Sequence, residues 1–312
     1  MLAHLPTPLD RADRLGRALG IPPGRLWVKR DDCTGLATGG NKARKLELLV
    51  ADALASGRDV LVTGGGPQSN HARMTAAAAA SSGLDCVLVF NADPPPGVEG
   101  NQLLDRILGA EGRFVGPMPL DDLGGAIERV ADSLRAAGRR PCVIPVGGSS
   151  PLGASAYADA ADEILAQLGH DDVVVITATG SGGTQAGLAA RLGHRRVVGV
   201  DVGALADPAS AVRRLAIEVA GLRGLPTPVG DPRLVRDQAG SGYGAPTDAA
   251  RDAIRLVART EGILLDPVYS AKAFAALARL DHAEVGSSAI VFLATGGTPA
   301  LFTARYAGWL VE

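Results

Sequence analysis

Short apolar runs alternate along the chain with longer, Ala- and Leu-rich stretches of helical period. The runs are apolar throughout instead of alternating with polar residues, which is typical of strands buried on both faces of a parallel sheet. The alternation predicts an α/β protein with a doubly wound, mostly parallel sheet. Strands are predicted at 60–63, 86–90, 113–115, 142–146, 173–178, 196–202 and 289–295. Helices are predicted at 69–82, 98–110, 120–137, 155–168, 183–192, 247–261 and 271–280.

Composition narrows the class of protein. The 312 residues include 41 Gly and 20 Pro, while 46% are hydrophobic and 4% are aromatic. The apolar fraction excludes intrinsic disorder, and the lack of a Gly-X-Y period excludes collagen. Because no apolar run reaches about 18 residues, no membrane-spanning helix is expected. The first residues lack an apolar core behind a basic segment, so no signal peptide is expected.

Charge and cysteine content indicate a cytoplasmic protein. The 31 Lys and Arg residues and 33 Asp and Glu residues leave a net charge of -2, so neither nucleic acid nor an anionic membrane is expected as a partner. Cys33, Cys86 and Cys142 have no CxxC spacing, which fits a reducing compartment and no bound metal. The placement of the many glycines then carries the functional information.

Glycine clusters follow four of the predicted strands. Ligands of doubly wound proteins bind at the carboxyl ends of strands, where the chain turns into a helix. A single cluster is equally well explained as a tight turn or a helix stop, but four together favour backbone that lines one cavity. The clusters are TGGG after 60–62, VGGSS after 143–144, TGSGGT after 173–178 and ATGGT after 290–293.

The stretch TGSGGTQAGL, at 179–188, predicts an anion site. A buried strand leads into Gly180, Ser181, Gly182, Gly183 and Thr184, and a helix follows. Free N–H groups at a helix start, the positive end of the dipole and two hydroxyls make a cradle for phosphate. The GxxxxGK[ST] spacing of a Walker A loop is absent, and GxGxxG does not fit either.

Two lysines follow a Gly-Gly-Asn turn in GGNKARKLE. Lys42 stands at a predicted helix start, where the dipole lowers the pKa of an amine that is also partly buried. An amine of lowered pKa is what Schiff-base chemistry requires. The alternative is a solvated surface lysine, and that is what we predict for the neighbouring Lys45.

Three polar residues open a second helix in GPQSNHAR. Ser69 is a natural N-cap, and capping alone would account for it, just as hydrogen bonding in the core would account for His71. A Ser–His nucleophile is disfavoured, because no GxSxG elbow surrounds Ser69. Two of the four tyrosines, Tyr243 and Tyr269, lie in Gly- or Pro-rich loops ahead of helices, where a phenol can reach a ligand or pack as a rim aromatic.

Taken in order, the motifs resemble a known family. They look like the pyridoxal-phosphate enzymes of the tryptophan-synthase-β fold type, within the branch of D-cysteine desulfhydrase and 1-aminocyclopropane-1-carboxylate deaminase. The resemblance runs from Leu5 to Phe302. Its motifs are PTPLD, WVKRDD, GGNKARKLE, QSNHAR, PVGGSSPLGA, TGSGGTQAGL, GYGAPTD, EGILLDPVYSAKA and TGGTPALF.

The resemblance implies roles for individual residues and pyridoxal 5'-phosphate as the cofactor. Lys42 matches the lysine that binds the cofactor covalently, Asn70 the asparagine at its phenolic oxygen, and 180–184 the phosphate loop. Ser69 matches a serine near the lysine and the substrate carboxylate, so Ser69, Asn70 and His71 are expected to contact substrate. Tyr243 and Tyr269 match two catalytic tyrosines, and Thr295, Gly296 and Gly297 the turn beside the pyridine ring.

Two residues distinguish the desulfhydrase branch from the deaminase branch. Ser270 follows Tyr269 where the deaminases carry an acidic residue, and a hydroxyl near the pyridine nitrogen gives a weaker electron sink than a carboxylate, enough for β-elimination. His71 follows QSN, as in the desulfhydrases. The expected reaction is therefore β-elimination from a small amino acid, D-cysteine first, giving pyruvate, ammonia and hydrogen sulfide.

Departures from the family pattern leave alternatives open. Pro67 stands where the family has a larger aliphatic residue, Ala271 replaces a glycine, and the Pro-rich loop at 94–96 is short. The alternatives are 1-aminocyclopropane-1-carboxylate deamination and an L-cysteate sulfo-lyase-like reaction. A homologue that binds the cofactor without catalysis is disfavoured, because Lys42 and the other motif residues are retained.

The fold type also implies the organisation of the chain. Two lobes of open, twisted, mostly parallel sheets flanked by helices are expected, with the cofactor between them. By analogy the small lobe comprises 45–150, and the large, cofactor-binding lobe combines 1–44 with 151–312. A homodimer is expected.

Overall fold

The computed structural model describes residues 1–280 and 285–311, and within these residues ten strands form two sheets. The strands are β1 Leu9–Arg11, β2 Leu26–Lys29, β3 Val60–Gly65, β4 Asp85–Phe90, β5 Glu111–Phe114, β6 Pro141–Val143, β7 Val173–Thr179, β8 Val197–Asp201, β9 Arg233–Val235 and β10 Ala289–Leu293. The helices are α1 Asp13–Ala18, α2 Lys42–Ala55, α3 Asn70–Ser82, α4 Gly100–Ile107, α5 Leu123–Ala136, α6 Pro151–Leu168, α7 Gly183–Leu192, α8 Pro208–Arg223, α9 Asp248–Glu261, α10 Ser270–Leu277 and α11 Ala304–Val311.

The larger sheet joins both ends of the chain. Its order is β1-β2-β10-β7-β8-β9, so β10, near the C-terminus, pairs in parallel with β2 and β7. Only β1 among these strands runs antiparallel to its neighbour. This arrangement confirms the predicted α/β class with mostly parallel sheets.

The smaller sheet is parallel throughout, in the order β5-β4-β3-β6. One of its faces packs against α2 and α3, and the other packs against α5. Because both faces are covered, β3 is buried at every position, like β7 and β10 of the larger sheet. The continuous apolar runs of the sequence therefore correspond to strands covered on both sides.

The predicted lobe boundary at residue 45 falls within α2 (Lys42–Ala55). This helix contacts α3 beside the smaller sheet and α6 beside the larger one. The division of the chain into 45–150 and the remainder stays a prediction. Among the described residues, no helix is both long and apolar enough to cross a membrane.

All seven predicted strands are present, although their ends differ from the predicted ones by up to three residues. The strand predicted at 142–146 ends at Val143, because Pro145 lacks the N–H that a further ladder bond needs and a 3-10 turn starts at Val146. Gly64 and Gly65, predicted as a turn, belong to β3. A Cβ at Gly64 would lie 2.5 Å from the carbonyl oxygen of Val89 on β4, so glycine permits the close approach of the strands.

Candidate active site

A cavity lies where the carboxyl ends of strands from both sheets face each other. The structure brings most residues predicted for the site into its wall, although the sequence spreads them over more than 250 positions; Gly297 and Ser270 are not part of it. Their individual roles stay predictions. The predicted residues in the wall are Lys42, Ser69, Asn70, His71, Gly180, Ser181, Gly182, Gly183, Thr184, Tyr243, Tyr269, Thr295 and Gly296.

Lys42 is the first residue of α2 and points into this cavity. Its Nζ donates a hydrogen bond to Oδ1 of Asn41 at 2.8 Å. Burial lowers the pKa of Lys42 to about 8, because the interior disfavours the charged amine; the Arg73 charge acts in the same direction, and Asp266 opposes it. A share of this amine is therefore neutral and nucleophilic near pH 7.

The prediction for Lys45 is wrong: it is a buried lysine and not a solvated one. It is 1% exposed, and its Nζ donates to the carbonyl oxygen of Gly147 at 3.1 Å and to Oγ of Ser149 at 3.3 Å. Burial holds the pKa of Lys45 well below its ordinary value, and the nearby Lys42 acts in the same direction. The i,i+3 spacing of the two lysines on one helix was the signal for a shared face.

The predicted phosphate loop is a cradle at the start of α7. Gly182 has a φ of +81°, which turns the chain from β7 into the helix. A Cβ at Gly183 would lie 2.6 Å from Lys45 Nζ, so an amine faces the free N–H groups of this helix start. Ser149 Oγ also lies beside it, 2.8 Å from Ser181 Oγ. Hydroxyls, N–H groups and one amine thus converge on a site for a small anion.

A second helix start closes the cavity on the side of the smaller sheet. Ser69 is the N-cap of α3, as predicted, because its Oγ accepts from the N–H of Ala72 at 3.1 Å. The hydroxyl hydrogen of Ser69 stays available for a ligand. The cap therefore does not exclude a second role for this side chain.

His71 also lines the cavity, and a hydrogen bond to Thr63 fixes the orientation of its ring. Thr63 donates its hydroxyl hydrogen to the carbonyl oxygen of Ile144 at 2.8 Å, so it accepts from Nε2 of His71 at 2.9 Å. Nδ1 of His71 is then the unprotonated ring nitrogen, and it is buried without a partner among the described residues. Burial lowers the pKa of His71 far below its usual range, so the ring is neutral.

The two loop tyrosines meet across the cavity. Their hydroxyls are hydrogen-bonded to each other, and the ring centroids of Tyr243 and Tyr269 lie 6.0 Å apart. Burial raises the pKa of Tyr243 to about 12 and that of Tyr269 above its ordinary value, so both phenols keep their protons at neutral pH. A Cβ at Gly180 would lie 3.1 Å from the Tyr269 ring, so glycine at this position avoids crowding the ring.

Asp266 is a buried carboxylate to which the sequence reasoning gave no role. It accepts from the backbone N–H groups of Val268, Tyr269 and Ser270 at 3.0, 3.0 and 2.7 Å, and from the hydroxyl of Ser270 at 2.6 Å. Ser270 therefore spends its proton on this carboxylate and lies outside the cavity wall. Ser270 thereby fixes the loop that carries Tyr269, and a Ser270 hydroxyl beside a pyridine nitrogen stays a prediction.

The turns at 39–41 and 295–297 cross at the base of the cavity. A Cβ at Gly296 would lie 2.7 Å from the Cα of Gly40, so only glycine permits the crossing. The N–H of Asn41 donates to the carbonyl oxygen of Thr295 at 3.0 Å, and its side-chain amide donates to Thr184 Oγ1 at 3.0 Å. Asn41 therefore joins the Lys42 turn to the strand end of β10 and to α7.

Outside the cavity lies a wider cleft of about 710 Å³ between the two sheets. Ser69 and Tyr243 belong to the walls of both, so the cleft connects the cavity with solvent. Pro67, the departure from the family pattern noted above, lies in the wall of the cleft and not of the inner cavity. A small molecule can therefore enter between the sheets and reach Lys42.

A comparison with known proteins agrees with the family resemblance that the sequence motifs indicate. Residues 1–296 match the family described as pyridoxal-phosphate dependent enzymes. The chain is 42% identical to the D-cysteine desulfhydrases of Salmonella schwarzengrund (strain CVM19633) and Salmonella typhi, covering 96% of this chain and 94% of each relative.

Two solved structures have a similar fold over nearly the full length of this chain. The crystal structure of an ACC deaminase homologue superposes with a TM-score of 0.91 at 39% identity and covers all of this chain and 94% of its own. That of O-ureido-L-serine synthase superposes with a TM-score of 0.65 at 20% identity and covers 98% and 96% of the two chains, a likeness of fold.

Proposed function

The chain belongs to the pyridoxal-phosphate-dependent enzymes, and from this premise we propose that it is a lyase that converts D-cysteine to pyruvate, ammonia and hydrogen sulfide. The observation that carries the proposal is the position of Lys42: a half-buried lysine of lowered pKa, between an anion cradle and a pair of protonated tyrosines. The similarity to D-cysteine desulfhydrases over nearly the full length supports the choice of substrate.

The phosphate end of the cofactor fits the start of α7. Glycine at 183 lets two side chains approach the helix start, since a Cβ there would meet Ser149 Oγ and lie 2.6 Å from Lys45 Nζ, and Lys45 thus supplies a cation directly beside it. A doubly charged phosphate would restore the charge of Lys45, whose pKa burial otherwise lowers. We therefore assign phosphate binding to the backbone of 180–184, the hydroxyls of Ser181 and Thr184, and Lys45.

The ring end fits the opposite wall. Gly296 presents bare backbone to the cavity, against which a flat ring can lie, and the side-chain amide of Asn70 projects beside Gly297. An amide N–H in this place is a donor for the phenolic oxygen of the cofactor. Thr295 and Gly296 complete this wall.

When bound, pyridoxal phosphate withdraws electrons from the Cα of the attached amino acid and so acidifies its hydrogen. The protein has to bind the substrate, orient it and move protons. The neutral amine of Lys42, free of strong charge pairing, can accept the hydrogen of Cα as a general base. Its pKa of about 8 lies close to neutral pH, where a base works best.

The start of α3 is the proposed site for the substrate carboxylate. Free N–H groups and the positive end of the helix dipole favour an anion there, and the hydroxyl of Ser69 adds a donor. This placement turns the β-substituent toward Tyr243, at the mouth of the wider cleft. His71, tied to Thr63, shapes the wall beside the carboxylate.

The tyrosine pair is placed to handle the leaving group. Elimination breaks the bond between Cβ and sulfur after the Cα hydrogen is removed, and the departing thiolate needs a proton. Tyr243 and Tyr269 share a hydrogen bond and keep their protons because burial raises both pKa values. One of them can donate to sulfur while the other stabilises the resulting charge.

The experiment that tests the function compares five substrates with one preparation: D-cysteine, L-cysteine, L-cysteate, β-chloro-D-alanine and 1-aminocyclopropane-1-carboxylate. Pyruvate and sulfide from D-cysteine, with little product from L-cysteine, is the expected result. Sulfite as the main product would indicate a sulfo-lyase, and ketobutyrate from the cyclopropane substrate a deaminase; either result would replace the proposed substrate.

We further propose that the enzyme works in the cytoplasm as a homodimer. Its three cysteines are free, which fits a reducing compartment. Ile107 of α4 is 70% exposed and Phe302 of the contacting 298–302 turn is 74% exposed, an apolar surface that a second copy could cover. A sedimentation equilibrium mass of one chain would contradict the dimer.

A further inference from the structure

Asn101, in the first turn of α4, is fully buried and lies outside the cavity wall. It makes four hydrogen bonds with three residues. Its backbone N–H donates to Oε1 of Gln68 at 2.8 Å. Its side-chain amide donates to the carbonyl oxygen of Gln68 at 2.8 Å and to Oδ1 of Asn70 at 2.9 Å, and Oδ1 accepts from Nε of Arg73 at 3.2 Å. Asn70, one of these partners, does line the cavity.

Two of these partners fix which way round the amide of Asn101 lies. The carbonyl oxygen of Gln68 can only accept, so the atom facing it is the nitrogen of Asn101. Nε of Arg73 can only donate, so the atom facing it is the oxygen. Turning this amide over would set oxygen against oxygen and nitrogen against nitrogen in a fully buried place.

The orientation of Asn101 then decides that of Asn70. Because the nitrogen of Asn101 donates to Asn70, the atom of Asn70 that faces it has to be Oδ1. Its Nδ2 is left for the cavity, and a Cβ at Gly297 would lie 2.6 Å from that nitrogen. Asn70 therefore presents a hydrogen-bond donor, and not an acceptor, to the cavity on the side of Gly297.

We propose that Asn101 is a positioning residue that orients the amide of Asn70, so that Nδ2 donates to the phenolic oxygen of pyridoxal phosphate. The proposal rests on the proposed function. A donor there stabilises the ionised oxygen, whereas an Asn70 turned the other way would present a carbonyl oxygen and repel the charge.

The far end of the chain of hydrogen bonds is anchored independently of the cavity. Nη1 of Arg73 donates to the carbonyl oxygen of Gly39 at 3.2 Å and to Oγ1 of Thr38 at 2.9 Å, and it also contacts the carbonyl oxygen of Ala37. These bonds hold the guanidinium in place with its Nε toward Asn101. The polarity of the Asn70 amide is thus set by a group that cannot reverse.

Asn101→Asp is the sharpest test, because it keeps the shape and the bond from Arg73 but removes the donor to Asn70. The amide of Asn70 then gains by turning its nitrogen toward the new carboxylate. The readout is the ratio of visible to near-ultraviolet absorbance of the loaded protein, which reports how much of the phenolic oxygen is ionised. We expect the ratio to fall about 10- to 100-fold, as for loss of one hydrogen bond to a charged atom.

Three further variants complete the design. Gln102→Ala is the matched control, since Gln102 is the next residue of α4 and equally buried, but faces a cavity beside Phe90 and Phe114; its ratio should equal that of the wild type. Asn101→Ala removes the bias without a new charge, so an intermediate ratio is expected, and it decides the question if Asn101→Asp does not fold. In an Asn70→Ala background, Asn101→Asp should change the ratio no further.

The outcomes separate this inference from the function on which it rests. A wild type without a visible band that borohydride removes would overturn the proposed function and this inference with it. A wild type with that band, but with Asn101→Asp and Asn101→Ala equal to Gln102→Ala, would overturn the inference alone. A further fall in the Asn70→Ala background would show that Asn101 acts by another route and would also overturn it.

Discussion

Basic side chains lie on two different faces of the same helix, α2, and the two faces differ in whether carboxylates pair with these groups. On the cavity face, Lys42 and Lys45 have only neutral hydrogen-bond partners among the described residues. On the other face, Arg44 is paired with Asp31 and Glu163 at 2.9 and 2.8 Å.

The paired face is a closed network. Asp31 also accepts from the hydroxyls of Thr7 and Tyr157 at 2.9 and 2.6 Å. Although burial acts against its charged form, hydrogen bonds from Arg44 and Lys29 hold the pKa of Glu163 at about 2. These charges are satisfied within the protein and fix the start of α2, since Tyr157 also donates to the carbonyl oxygen of Asn41 at 3.1 Å.

On the face of α2 that carries Lys42 and Lys45, the amines are not paired with carboxylates of the described residues. Burial lowers the pKa of both lysines, and no carboxylate contacts either Nζ within the described part of the chain. Such amines are costly for the free protein and available to a ligand. The comparison teaches that paired charges position α2, while unpaired ones on the same helix are left for the cofactor.

The largest effect is expected from Lys42→Ala. Removing the base and the covalent attachment should lower kcat for D-cysteine by at least about 1,000-fold. Thermal stability of the cofactor-free protein should not fall, because the lost group was a buried, unpaired amine. Rates of pyruvate release and a melting curve check the two parts, and a variant that retains a tenth of the wild-type rate would contradict the account.

Breaking the paired face should affect stability instead. Arg44→Met leaves Asp31 buried without its guanidinium partner, and loss of one member of a buried pair costs about 3–5 kcal/mol. The free energy of unfolding, measured in urea, gives this value. Lys45→Met, at the neighbouring position, is the matched control; an equal loss in both variants would remove the distinction between the two faces.

Lys45→Met should act on cofactor affinity. The charge-assisted hydrogen bonds to phosphate are worth about 1.5–3 kcal/mol, so the dissociation constant for pyridoxal phosphate should rise by about 10- to 100-fold. Titration of the stripped protein, followed by absorbance, gives this constant. If the affinity stays unchanged, Lys45 does not face the phosphate.

The two faces should also differ in the pH dependence of their contributions to stability. The folded pKa of Glu163 is about 2 against an ordinary 4.5, so its contribution is complete above pH 4.5 and is lost as the pH falls toward 2. The folded pKa of Lys42 is about 8 against 10.5, so the unfolded chain holds this proton more tightly. Stability of the stripped wild type, relative to Lys42→Met, should therefore rise between pH 8 and 10.5.

Urea titrations across both pH ranges measure this difference. A relative stability that falls on the alkaline side would mean that the folded protein stabilises the charged amine of Lys42. The cavity face would then resemble the paired face.

Much of the fold could be predicted from the sequence, because long buried runs and capped helices are local signals. Helix α7 begins and ends where predicted, at 183 and 192. The short strands β1, β2 and β9 and the helices α1, α8 and α11 were missed. A strand of three or four residues is defined by its partner rather than by its own pattern; β2, for example, pairs with β10 more than 260 residues later.

The site was predictable to the extent that motifs carried it. The glycine clusters and the family resemblance predicted which residues line the cavity. They did not predict the charge states of these residues or their hydrogen-bond partners. Burial of Lys45 depends on Gly147 and Ser149, about 100 positions away, so its i,i+3 spacing from Lys42 was the one local signal for it. The orientation of Asn70 likewise depends on Asn101, which belongs to a different helix.

The central claim is that two lysines one turn apart divide the work, Lys42 as the covalent partner of the cofactor and Lys45 as the partner of its phosphate. Reduction of the loaded wild type with borohydride, followed by mass-spectrometric sequencing of the peptide that contains 39–47, tests it most directly. The account predicts the pyridoxyl mass on Lys42 and none on Lys45. The mass on Lys45, or on neither lysine, would contradict it.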